Sequence, residues 1–220
     1  MLQSLTVWPD RLRTTRWRRR VRVEKLSTLL AMQAEGIPMI LATLHTHGLS
    51  LLRHSLRSHG LPAATLVLDG SGHGDKTGAR DALLDQRMGL VGSPNLFDTR
   101  EIRAAVQFLK KGGCLIIACD TRPPQSLTVR TPQGGFTMAL GPLRMARLTG
   151  ATVFPAVVCE ERPWRVVIHI GNPINIPGEA STGENRGFES ACASFAHAVL
   201  PIVAKYPEQM DPTHVHCWSS

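Results

Sequence analysis

Long apolar runs are missing from this sequence. A helix that spans a bilayer needs about 20 apolar residues in a row. The longest candidate, Ile37–Leu44, is strand length. A secretory signal is not expected either, because seven arginines between positions 11 and 22 sit where an apolar stretch should be. Cysteine is sparse: the five residues 114, 119, 159, 192 and 217 are too few and too spread for a disulfide scaffold, and their odd number argues against full pairing. A reducing, cytoplasmic compartment is the expectation. The spacings C-x-x-C and H-E-x-x-H are absent, so His214, His216 and Cys217 near the end of the chain do not read as a zinc site. Glycine (19) and proline (15) follow no period, which excludes fibrous and low-complexity classes. Charged residues make up only 19% and apolar residues 43%, the balance of a chain that buries a core. A length of 220 residues fits one ordinary domain.

The charge of one sign is concentrated. The net charge is +8, and residues 1–25 hold seven Arg and one Lys against Asp10 and Glu24, which is +6. The remaining residues carry +2. The chain therefore divides into a basic arm, 1–24, and a single α/β domain, 25–220. A domain wrapped around nucleic acid should be basic across a face, and this one is not.

Helical and strand patterns alternate along the domain. VEKLSTLLAMQAEG reads as a helix closed by Gly36, and IPMILATL (37–44) as a buried strand. Residues 48–60 read as a helix, 62–69 as a second strand, and GSGHGDKTG (70–78) as a glycine-rich loop. Residues 79–88 are read as helical, and 99–111 as a helix with Thr99 and Glu101 at its start. GCLIIACD (113–120) is a third strand, and residues 121–135 a loop or loose hairpin. Residues 136–148 read as a helix, 151–159 and 164–171 as strands, and 186–205 as an amphipathic helix. Such alternation means a mostly parallel central sheet flanked by helices.

Ligands in such sheets bind beyond the carboxyl ends of strands. His45 falls at a strand end, just before a helix whose first N–H groups are free. A neutral histidine there can take a proton from a hydroxyl while the N–H groups favour a developing anion. The 70–78 loop fails the phosphate-loop pattern, because Asp75 stands where glycine is needed. Asp120-Thr121-Arg122 follows another buried strand and can fix a polar group or support the histidine.

Four blocks in order carry a resemblance. They are His45-Thr46-His47-Gly48-Leu49-Ser50, then Leu109-Lys110-Lys111-Gly112 before a strand and Asp120, then MARLTGATVFP (145–155), then Tyr206-Pro207-Glu208-Gln209 followed by His214 and Trp218. Over roughly residues 20–218 the chain resembles the lipid A biosynthesis (lauroyl/myristoyl) acyltransferase family, within the lysophospholipid acyltransferase superfamily. The resemblance implies a glycerolipid acyltransferase-like fold. It also implies transfer of a fatty acyl group from an acyl carrier protein or coenzyme A thioester to a hydroxyl or amine of a lipid-like acceptor. No cofactor or metal is implied.

The family's histidine block has the form H-x4-[DE], and its acid orients the histidine. Here Ser50 occupies the acidic position. A serine can accept a hydrogen bond but supplies no charge. Another acid can substitute, and Asp69 and Asp120 both follow neighbouring strands. Otherwise the protein is slow, or it binds lipid without turnover. The family's arginine-rich segment after the second strand is replaced by GSGHGDKTG, which points to an acceptor other than lipid A. Carried over, the resemblance makes His45 the general base, leaves His47 open as a substitute, and puts Ser50 in the orienting position. N–H groups near Gly48 hold the oxyanion, Asp120 and Arg122 shape the polar side, and Phe136, Thr137 and Gly141 border an acyl groove. The family's membrane helix is not seen. The arm, with Trp8 and Trp17 among its arginines, suits an anionic bilayer surface. A peripheral place on the cytoplasmic face of a bacterial inner membrane is therefore expected.

Overall fold

The computed structural model describes residues 20–67, 96–121, 125–132, 134–176, 186–212 and 218–219. The rest of the arm, Asp69, the 70–78 loop, the stretch 79–88, Arg122 and His214 to Cys217 lie outside the described residues. The central sheet has seven strands. They are β1 (Val21–Val23), β2 (Met39–Thr43), β3 (Ala63–Val67), β4 (Leu96–Asp98), β5 (Cys114–Ala118), β8 (Thr152–Arg162) and β9 (Arg165–Ile170). Their spatial order is β1-β9-β8-β2-β5-β3-β4. Every neighbouring pair is parallel except the β8–β9 hairpin. A second, antiparallel sheet joins β6 (Ser126–Thr131), β7 (Gly134–Ala139) and β10 (Trp218–Ser219).

Both faces of the central sheet are covered, which is why its inner strands read as unbroken apolar runs. Met39 and Leu41 of β2 turn to one face, where Leu29 of α1 (Leu26–Ala34) and Leu51, Leu52 and Leu56 of α2 (Leu49–Ser58) pack. Ile40 and Ala42 turn to the other. There they meet α3 (Ile102–Lys110), α4 (Gly141–Thr149) and α5 (Arg186–Val203) through Leu109, Leu143 and Phe195. The result is a helix–sheet–helix sandwich with a core on each side.

Local chemistry fixes the element ends. Helix α3 closes with Gly112 at φ 79, and Gly112 and Gly113 N–H donate back to Leu109 and Phe108 carbonyls at 2.8 and 3.1 Å. That paired return of N–H groups needs the left-handed backbone glycine adopts without penalty. The start of the same segment is capped by Asp98 rather than Thr99. Its carboxylate accepts the Arg100 N–H at 2.9 Å, and the Glu101 carboxylate accepts the Asp98 N–H at 3.0 Å. The Arg100 side chain hydrogen-bonded to Asp98 holds that carboxyl below its usual range.

Two expectations are corrected. The helix read over 136–148 begins only at Gly141, because residues 134–139 are β7, paired with β6. Residues 121–135, read as a loop or loose hairpin, contain β6 and the turn of that hairpin. The stretch assigned to the arm contributes β1, which pairs with β9 from Val21↔Val166 to Val23↔Ile168. Among the described residues, no helix is long and apolar enough to cross a membrane.

Candidate active site

Strand register assembles the centre of the site. β2 and β5 are adjacent and parallel, with Thr43 opposite Ala118. Counting the same distance past each strand brings His45 beside Asp120. Asp120 is wholly buried, and its two oxygens both reach His45. One accepts the His45 backbone N–H at 2.8 Å, and the other lies 2.6 Å from ring Nδ1. A carboxylate only accepts, so Nδ1 carries the proton, and in the neutral imidazole Nε2 is the acceptor. The His45 side chain keeps 29% of its surface exposed.

The backbone around His45 is held from the other side. Residues 45–47 run antiparallel to residues 209–211: Thr46 bridges Met210, His47 N–H donates to the Gln209 carbonyl, and Asp211 N–H donates to the His45 carbonyl, both at 2.9 Å. Gln209 is itself buried and clipped to β8. Its amide nitrogen donates to the Glu160 carbonyl at 2.9 Å, and its amide oxygen accepts the Glu160 N–H at 2.8 Å. The side chain thus mimics one more rung of sheet and ties the histidine loop to the central sheet. The sequence offers Gln209 only as part of the terminal block; no period or spacing marks it as a support of His45.

Gly48 caps α2 with its Cα close against β8. A Cβ there would lie 2.7 Å from Val158 Cγ1. Only glycine lets the helix start so near the sheet. Leu49 N–H donates to Thr46 at 3.0 Å and Leu51 N–H to Gly48 at 2.9 Å. Among the described residues, no backbone acceptor takes the N–H of Gly48 or Ser50. Those two groups sit at the positive end of α2, directly after the histidine.

The other candidates separate. His47 is exposed, and its contact with the strap is through the backbone. Ser50 is part-buried in the first turn of α2, while the ring nitrogen Nδ1 is held by Asp120. Asp120, assigned above to the polar side of the site, therefore lies directly against the histidine. Phe136 is fully buried, with its ring 6.0 Å from that of Phe195. Thr137 hydroxyl pairs with Thr128 hydroxyl at 2.8 Å across the β6–β7 hairpin. Gly141 lines a cavity of about 380 Å³ between α3 and α4, and Phe136 and Thr137 do not.

Thr121, the residue after Asp120, lines that cavity, and His45 and Asp120 do not. Its walls are Leu66, Ile102, Val106, Ile117, Met145 and Leu148 with Ala139 and Pro142; Thr99, Thr121, Gln125 and Arg144 supply the polar part. Arg144 hydrogen-bonds to Gln125. Neither residue is singled out by any motif in the sequence. Against known proteins, the chain matches no protein-family profile and no curated protein.

Proposed function

We propose that this protein is an acyltransferase of glycerolipid acyltransferase-like fold that moves a fatty acyl group from a thioester to a hydroxyl or amine of a lipid-like acceptor. The observation that carries the reading is the His45–Asp120 pair. It supplies a general base with a fixed tautomer beside a helix start, and Thr121, next to Asp120 in the chain, lines an apolar cavity. In the reaction, His45 Nε2 takes the acceptor proton, and the acceptor oxygen or nitrogen forms a bond to the thioester carbonyl carbon. The carbonyl electron pair moves onto oxygen, where the Gly48 and Ser50 N–H groups stabilise it. Collapse breaks the C–S bond. The thiolate leaves and receives the proton from the imidazolium, whose charge Asp120 offsets.

The cavity supports the acyl part of this reading, because a chain of methylenes suits its mostly apolar walls. The donor is an acyl carrier protein or coenzyme A thioester, and the membrane surface is the source of the acceptor. The alternative of a lipid binder without turnover rests on Ser50 in place of an acid. A buried carboxylate at Nδ1 supports the transfer reading over it.

The test is incubation with radiolabelled acyl-carrier-protein and acyl-coenzyme-A thioesters plus total lipid extract. A new labelled lipid that disappears in His45→Ala is the expected result. Retained lipid binding, with neither product nor thioester hydrolysis, would favour the binder.

A further inference from the structure

The tip of the β8–β9 hairpin carries an exposed tryptophan in an unfavourable backbone conformation. Arg162 pairs with Arg165, so Pro163 and Trp164 form the connection between strands. Trp164 sits at φ 67 and is 48% exposed. A tight turn with proline first and a left-handed second residue favours glycine in that second place. A tryptophan there is strained, and its ring stays half in solvent. Residues 161–165 are all exposed. The Arg20 guanidinium lies over the ring, 5.8 Å from its centroid. The acids nearby are engaged within the hairpin base: Glu160 accepts the Trp164 N–H at 2.7 Å, and Glu161 lies 3.6 Å from Arg22.

Topology gives this tip a direction. β8 is parallel to β2, with Ala156 opposite Thr43, so it rises on the same edge of the sheet as His45. It continues to Arg162, about 20 Å further at the usual strand rise. β1 runs parallel to β9, so the chain enters β1 at that edge too, directly after Arg20.

We propose that the hairpin tip, with Trp164 as the apolar anchor and Arg162, Arg165 and Arg20 around it, docks on an anionic lipid bilayer and turns the His45 edge toward it. Tryptophan favours the interface between headgroups and acyl chains, and arginines beside it meet the lipid phosphates. The surface goes beyond the transfer reaction and does not depend on it. It is tested without donor or acceptor, so its failure leaves the transfer reading standing.

The experiment is co-sedimentation of the full chain with phosphatidylcholine vesicles and with vesicles of phosphatidylcholine plus phosphatidylglycerol. Binding to the anionic vesicles is expected, weakening with salt. Trp164→Gly relieves the turn and should melt no lower than the parent, yet lose about tenfold in partitioning. Arg162→Gln and Arg165→Gln should each lose about fivefold. Unchanged partitioning of Trp164→Gly would overturn the proposal, since the arm alone would then account for binding. Equal binding to neutral vesicles, or displacement by an oligonucleotide that depends on Trp164, would overturn it as well.

Discussion

Asp120 holds His45 twice, once through the backbone N–H at 2.8 Å and once through ring Nδ1 at 2.6 Å. The two contacts use different oxygens of one buried carboxylate. They fix the position of the residue and the orientation of its ring together. The arrangement comes from two parallel strands in register, each ending the same distance before its functional residue. Where the histidine block has Ser50, the next strand in space brings a carboxylate to His45.

Close approach at Gly48 gives a paired test. Gly48→Ala pushes a methyl into Val158 and should displace the start of α2, lowering activity by more than its effect on melting would account for. Combining it with Val158→Ala should restore most of the loss. Activity and melting temperature of both single variants and the double variant read the coupling.

Gln209→Leu removes the clip between the histidine strap and β8. Each Glu160 backbone group left without its partner costs about 1–3 kcal/mol. The melting temperature should fall. The strap over residues 45–47 should loosen, so kcat drops while KM changes little. Amide exchange at His47 and Asp211 reports the loosening directly.

Chain-length preference should respond to the cavity. Val106 lines it from α3, so Val106→Trp shortens the space available to an acyl chain. The variant should keep activity on short acyl thioesters and lose it on long ones. A uniform loss across lengths would mean that the acyl chain binds elsewhere.

Cys114, Cys159 and Cys192 are free and buried, and burial pushes each thiol up to about 12. The unfolded chain loses these protons near the ordinary thiol value of 9.0, while the folded chain keeps them. Their contribution to stability is therefore complete below pH 9 and lost as pH rises toward 12. In the native protein at pH 8 these thiols should resist alkylation, and reactivity should appear with unfolding.

Much of the fold is legible in the sequence because burial on both faces leaves an unmistakable mark. IPMILATL, GCLIIACD and ATVFPAVVC are apolar without alternation, as inner parallel strands must be. The hairpin at β7 is not legible: Phe136, Met138, Leu140 and Leu143 satisfy both a helical and an alternating spacing. β4 is only Leu96–Asp98, too short to carry a period. β1 hides among arginines because just one of its residues, Val21, is buried. His45 is legible from its place after a strand. Its partner is legible only as one of two candidates, Asp69 and Asp120, because strand order in space skips from β2 to β5 and no local pattern encodes that neighbour. The block comparison directs attention to Ser50, three-dimensional register to Asp120.

The most direct measurement compares acyl transfer by the parent protein, Asp120→Asn and Ser50→Ala under one set of conditions. Asp120→Asn keeps the shape of the carboxylate but removes its charge and its hold on the tautomer. By analogy with hydrolase triads it should lose about 10⁴-fold in kcat while remaining folded. Ser50→Ala keeps its backbone N–H and should lose no more than a few-fold. A large loss in Ser50→Ala with Asp120→Asn near parental activity would contradict the account.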